Sequence, residues 1–323
     1  MKQKIMPFTW LLACMVILVQ IPLFGQGEIN KTFSGIKKIV LKTSSGDCVI
    51  RKSSDATARV ELKTSYDSDE YPAYTLDQTG DRLDISEKYH PRYVHGGGPR
   101  WSLTIPNKTE IEFKTGSGSV DVADISLTMS LNTGSGDLSF SNVNGEVRGV
   151  TGSGDIMLSN YSGEIDASTG SGGIVVEKSS GNLHLTSGSG NIRIADSKAV
   201  FKSSTGSGNV RGVAVTLEGG SSFSAGSGDA EVVLAATPAY DLHVGSGSGD
   251  ASLNFNGNKV EGKIQLKAGK KYGRIVSPFD VKIVEIKQSG DEDWILEQTV
   301  FMGAANHRIV VESGSGEARL REK

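Results

Sequence analysis

The carboxylates that end a run of short glycine turns are the first residues in this 323-residue chain that could do chemistry. Gly134-Ser135-Gly136-Asp137 and Gly152-Ser153-Gly154-Asp155 pair glycine with aspartate, as calcium-binding β-coils built from G-G-x-G-x-D-x-U-x nonapeptides do. Here, however, one G-x-G falls in each 18 residues, and Asp follows the second Gly directly. The same position is Gly173, Asn191 and Asn209 in three successive units, where a hard divalent cation would need carboxylates. Calcium is therefore not expected to be part of the fold. Zinc has less support. His90 and His95 flank Gly96-Gly97-Gly98 without a Cys pair or an acidic third ligand at usual spacing. His184, between Leu183 and Leu185, points outward, while His243 and His307 stand alone in the sequence. No metal and no cofactor are expected.

Hydrolysis or lyase chemistry needs carboxylates, or a carboxylate and a base, converging on one face. The outward positions Asp121, Ser139, Met157, Val175, Arg193 and Arg211 form no such cluster, and the pairs Asp121/Asp124 and Glu164/Asp166 read as solvated edges. The Ser-Gly turns are not nucleophile elbows, because no G-x-S-x-G lies between a strand and a helix. They also lack the Lys and following helix of a phosphate-binding loop. What remains is aromatic. Tyr71, Tyr74, Tyr89, Tyr93 and Trp101 are the candidate ligand contacts, able to stack on sugar rings, with His90, Arg92 and Arg100 nearby. Packing within loops is the competing reading for the same rings.

The elements that must position these residues follow from a repeat. Tetrads of the G-S-G-x type begin at Gly116, Gly134, Gly152, Gly170, Gly188 and Gly206, five intervals of 18 residues, and recur at Gly226, Gly247 and Gly314. After each tetrad apolar residues alternate with others, the period-2 pattern of a strand with one buried face. The first inward slot reads Val120, Leu138, Ile156, Ile174, Ile192, Val210, and the next Val122, Phe140, Leu158, Val176, Ile194, Gly212. A second strand in each unit buries Met129, Val147, Ile165, Leu183 and Phe201, then Leu131, Gly149, Ala167, Leu185 and Ser203. No unit can bury its own apolar side, so the units stack, with strands pairing in parallel about 4.8 Å apart. The fold class is all-β, a parallel β-helix or solenoid with 18-residue coils and β-rich capping segments. The 41 glycines suit corners that need positive φ or close backbone approach. The residues ending the tetrads, such as Asp137, Asn191 and Asp229, suit turns by capping nearby amides.

Four segments result. Residues 1–26 read as a signal peptide, with Lys2 and Lys4 ahead of the apolar run Ile5 to Phe24 and small residues at its end. Two rivals are a retained anchor and a lipoprotein attached at Cys14 in Leu11-Leu12-Ala13-Cys14. Residues 27–115 are an N-terminal β-rich capping region with early coils, in which Ser44-Ser45-Gly46-Asp47 aligns with the tetrad and places Cys48 in an inward slot as a small core residue. Residues 116–257 are the regular solenoid, and 258–323 form a C-terminal β-rich cap that ends on a GSGE strand. A formal net charge of −3 gives no reason to expect nucleic acid. No integral membrane span is expected after signal cleavage.

Ile105-Pro106 followed by Thr115-Gly116-Ser117-Gly118, the serial GSGD turns, and the closing His307-Arg308-Ile309 with Ser313-Gly314-Ser315-Gly316 resemble the bacterial putative-adhesin family, a domain of unknown function with β-strand repeats. The similarity runs from about Phe33 to Leu320. It implies a β-helical fold and an envelope or extracellular location, and it supplies no catalytic residues. The resulting expectation is a non-enzymatic, adhesin-like protein in the periplasm, at the cell surface or secreted, whose partner is an envelope or extracellular component, glycan or protein. The alternatives are a carbohydrate-active β-helix enzyme and an envelope-stress sensor. From the Gly173, Asn191 and Asn209 interruptions, excess chelator should leave the β signal in circular dichroism intact; a signal lost in chelator and regained with Ca2+ would refute this.

Overall fold

The computed structural model describes residues 28–63, 73–88, 99–269, 271–279, 284–289 and 293–323. The signal segment and Cys14 lie outside these residues, as do Tyr71, Tyr89, Tyr93, His90, Arg92 and His95. Among the described residues every helix or strand is a strand, 27 in all, joined in one hydrogen-bonded sheet. The architecture is β-solenoid-like. In its middle, Leu138 pairs in parallel with Val120 on one side and Ile156 on the other, and the ladder continues through Ile174, Ile192 and Val210. It then runs through Ala230, Ala251 and Ala318, and every member is at most 1 % exposed.

Two inward positions are glycine, and both are filled from across the core. A Cβ on Gly149 would lie 3.2 Å from Leu138 Cδ1 and 3.8 Å from the Phe140 ring; one on Gly212 would lie 3.2 Å from the Phe223 ring. The rings occupy the volume that a side chain at either glycine would need, so packing density is kept without an apolar residue in every slot.

The turn glycines have a different reason. From Gly134 onward the tetrad glycines of the regular block avoid the left-handed region. What they lack is room. A Cβ on Gly172 would sit 2.0 Å from the carbonyl oxygen of Gly154, and one on Gly154 would sit 2.0 Å from that of Gly136. The left-handed corner lies elsewhere, at Asp124, Asn142, Asn160, Lys178, Asp196 and Ala214, with φ between 49° and 57°. These recur every 18 residues, and five of the six are not apolar. Two carry an amide ladder in which Asn142 Nδ2 donates to Asp124 Oδ1 (2.8 Å) and Asn160 Nδ2 to Asn142 Oδ1 (3.2 Å).

Two further ladders tie each turn to its neighbour. The hydroxyl before the tetrad donates to a glycine carbonyl of the preceding coil and accepts from an amide of its own turn. Thr169 Oγ1 donates to Gly154 O at 2.8 Å while Gly172 N donates to Thr169 Oγ1 at 3.1 Å, and Thr151, Ser187 and Thr205 repeat the pattern. Outside, the tetrad's last side chain caps the next coil: Asp155 N donates to Asp137 Oδ1 (2.8 Å), Gly173 N to Asp155 Oδ1 (2.7 Å) and Asn209 N to Asn191 Oδ1 (2.8 Å). Gly173 has no side chain to pass this on, and the ladder restarts at Asn191.

At both ends the order in space departs from the order in sequence. Lys38–Ser45 lies between Thr109–Ser117 and Arg82–Lys88, all parallel, and Asp47–Lys52 lies between Val120–Thr133 and Arg100–Ile105. At the other end Arg308–Ser313 lies between Leu242–Ser246 and Gly262–Gly269, while Glu317–Arg321 lies between Ala251–Asn254 and Arg274–Val276. The closing GSGE turn is thus inside the stack. Antiparallel strands cover the outermost coils: Ala73–Thr79, Thr57–Lys63 and Glu28–Ser34 at one end, Asp293–Met302 and Val284–Ser289 at the other. A change of strand direction removes the parallel template that an added coil would need.

The closest backbone contacts set the first structural prediction. Gly172→Ala should lower stability by at least ~2 kcal/mol, because backbone atoms rather than a flexible side chain oppose the new methyl. Ser171→Ala, exposed in the same turn, should stay within about 0.5 kcal/mol of the parent. Equal melting temperatures for the two variants would contradict the contact.

Candidate functional site

The second strand of each coil presents its outward side chains in straight columns across the stack. One column passes Glu112, Ser130, Arg148, Asp166, His184, Lys202, Ser222, His243, Val310 and Gln265, each in register with the next. A neighbouring column holds Glu110, Thr128, Glu146, Glu164 and Asn182. The alternation of the strands turns their partners at Ile111, Val147, Ile165 and Leu183 into the core, where each is at most 2 % exposed. This face is a consequence of the repeat: whatever stands three or five residues before the hydroxyl ladder is displayed at coil spacing.

The half of the face nearer the N-terminus is a shallow groove of about 490 Å3, lined by Glu110, Glu112, Lys114, Glu146, Arg148, Glu164 and Asp166 among others. Its charges are partly matched within the groove. Lys114 Nζ meets Glu112 Oε1 at 2.9 Å, Lys38 Nζ meets Glu110 Oε1 at 2.5 Å, and His184 Nδ1 lies 3.8 Å from Asp166 Oδ1. The hydrogen bond from Lys114 holds the Glu112 carboxyl below its ordinary value, and the one from Arg82 does the same for Asp84. A carboxyl stabilised as its anion is the opposite of a general acid, which needs a raised pKa. Beneath the groove the Tyr161 hydroxyl lies 2.8 Å from Gly145 O and 2.6 Å from Glu164 O, inside the core.

The aromatic residues put forward as ligand contacts are placed differently. Trp101 is fully buried and Tyr74 9 % exposed, and their rings meet edge to face with centroids 5.0 Å apart. Neither ring is open to a ligand; both close the core under the N-terminal cap, because Trp101 pairs with Cys48 in an inward slot. Tyr71, Tyr89 and Tyr93 lie outside the described residues. Cys48 is itself fully buried, and burial pushes its thiol far above the usual range, so it is a packed core residue. Among the described residues no three His, Cys, Asp or Glu side chains are grouped to hold a metal ion, and no helix is long and apolar enough to cross a membrane.

His243 and His307, solitary in the sequence, are each bonded in the fold. His307 Nε2 lies 2.9 Å from Glu261 O, and His243 Nε2 lies 2.9 Å from Glu312 Oε1, with Lys267 Nζ 3.6 Å from the other oxygen of that carboxylate. His243, Glu312 and Lys267 sit on three adjacent strands that meet only because the final strand pair is inserted within the stack. No sequence spacing announces this triad; the only available signal was that His307-Arg308-Ile309 precedes a tetrad that must join the ladder somewhere.

A family model described as Toastrack DUF4097 matches residues 36–291 of the chain. No curated protein is matched. Among solved structures the chain is similar to a putative cell adhesion protein from Clostridium sporogenes ATCC 15579, at 13% identity and a TM-score of 0.24, covering 92% of this chain and 99% of that one. It is also similar to a putative lipid binding protein from Parabacteroides distasonis ATCC 8503, at 12% identity and a TM-score of 0.32, covering 92% of this chain and 97% of that one.

The triad makes a pH prediction. The hydrogen bond from His243, ahead of the charge of Lys267, holds the Glu312 carboxyl below the ordinary 4.5. A depressed folded-state pKa adds stability above the unfolded value and loses it as pH falls through the folded one. Thermal melts should therefore show the parent above Glu312→Gln at pH 7, the gap closing as the pH falls below 4.5. A gap that does not change with pH would refute the assignment.

Proposed function

The chain belongs to the Toastrack DUF4097 family, and on that footing we propose that it is an exported, non-enzymatic binding protein of the cell envelope or exterior. In this reading it is a parallel β-helix with 18-residue coils that offers its second-strand face to an envelope or extracellular partner. Export rests on the basic and apolar N-terminal segment. The single observation that carries the binding function is the face itself: eight outward positions from Glu112 to His243 in unbroken register, all with polar or charged side chains. A rigid array of this kind is preorganised, so little ordering entropy opposes binding of an extended partner. Chemistry is disfavoured by the same geometry. The carboxyls Asp84, Glu112 and Glu312, whose pKa departs from the ordinary value, are all shifted toward the anion.

The test is capture from the envelope fraction of the source cell on the immobilised protein, beside two double variants. Arg148→Ala/His184→Ala alters the second-strand face; Arg193→Ala/Arg211→Ala alters the first. Saturable capture should weaken at least about tenfold in the former and stay unchanged in the latter. Capture indifferent to both, or reproducible turnover of a polysaccharide by the parent, would overturn the reading.

A further inference from the structure

The coil length lapses at one place in the stack. Successive tetrads stand 18 residues apart up to Gly206, then 20 to Gly226 and 21 to Gly247. The extra residues set Gly220 and Asp241 just ahead of strands Ser221–Ala225 and Leu242–Ser246. Gly220 leaves open space: a Cβ there would meet nothing within 4 Å. A hollow of about 410 Å3 opens in the second-strand face as a result, with Ser222 and His243 in its floor, Lys202 on one wall and Arg308 on the other. Lys202 and the Arg308 strand are three pairings apart, about 14 Å at strand spacing.

The walls are cationic and incompletely matched. Lys202 makes no ion pair or hydrogen bond among the described residues. The Arg308 guanidinium leans on Gln265 Oε1 through Nε (3.1 Å) and Nη2, which leaves its remaining N–H donors for a ligand. The one carboxylate lining the hollow, Asp241, already accepts the Arg308 backbone N–H at 2.7 Å through Oδ1, which leaves Oδ2 as an acceptor. Beyond Arg308 the pairing continues to Lys263 and then to Phe301, a ring 67% exposed with Lys263 Nζ 5.5 Å from its centroid. The opposite half of the face carries five carboxylates, Glu110, Glu112, Glu146, Glu164 and Asp166, against Lys114 and Arg148, an excess of negative charge that disfavours an anion.

We propose that this hollow binds a sugar carboxylate, and that an acidic oligosaccharide of the uronate class runs from Lys202 past Arg308 toward Phe301. Each part has a matching group: Lys202 and Arg308 for the carboxylate, Ser222 and Asp241 Oδ2 for ring hydroxyls, Phe301 for the apolar face of a sugar. The inference rests on the binding function proposed above and names the chemistry of the partner.

Titration calorimetry of the exported chain with a purified oligogalacturonate tests it, beside a neutral oligosaccharide of equal length and inorganic sulfate. Binding of the oligogalacturonate alone is expected, weakened by added salt, and at least about tenfold weaker in Lys202→Gln/Arg308→Gln. Gly220→Tyr, which fills the hollow without touching a charge, should weaken it as much. Equal binding of the neutral oligomer, or of sulfate, would overturn the proposal. So would loss in the charge variant with full binding in Gly220→Tyr, which marks adsorption to a charged surface. If the oligogalacturonate fails while envelope capture through the second-strand face succeeds, the ligand class is wrong and the binding function stands; if both fail, both are wrong.

Discussion

The rest of this structure depends on how closely one turn can approach the next. Tetrad glycines bring carbonyl oxygens to within about 2 Å of where a Cβ would be, a distance no side chain can occupy. Because the turns can nest, the coil spacing at the corner matches the spacing that parallel strands need along the faces. Every other regularity follows from that match. The inward ladder is continuous because no corner spreads the stack. The Thr169, Ser187 and Thr205 hydroxyls can each reach a carbonyl of the preceding coil for the same reason. The repetition of serine and glycine is a steric requirement, and it carries no chemical message.

That division explains where function can reside. Inward slots are held by packing, and the tetrad ends are committed to amides of the next coil, as Asp137 is to Asp155 N and Asp229 to Asp250 N. Among the described residues of the repeat, the outward columns are the part committed neither to core packing nor to the turn ladders. Among these, the coils lengthened after Gly206 are where a surface set by repetition gains a concavity.

Much of the architecture was legible in the sequence because period and alternation are local. Val120 through Val210 and Met129 through Phe201 lie in the core as the spacing required. The glycines were expected to serve positive φ or close backbone approach, and from Gly134 onward it is close approach that they serve; the left-handed corner, harder to read, falls on Asp124, Asn142, Lys178 and their equivalents, residues ordinary enough to hide in a loop. Trp101 and Tyr74 looked like loop aromatics because their neighbours are irregular, whereas long-range pairing with Asp47–Lys52 draws Trp101 inward. The His243 and Glu312 contact spans 69 residues and depends on out-of-order insertion, which no local pattern encodes. The hollow at Gly220 was visible only as two intervals that were slightly too long.

The interleaved ends have a consequence for biogenesis. A solenoid whose coils stack in chain order can lose its last coil and remain a shorter rod. Here residues 308–321 form a keystone, laid between strands that precede them in the chain. As the chain emerges from its N-terminus, Gly262–Gly269 has no parallel neighbour until this last piece arrives. A product cut short by a nonsense codon or a protease therefore has a breach within the sheet, its interior open to degradation.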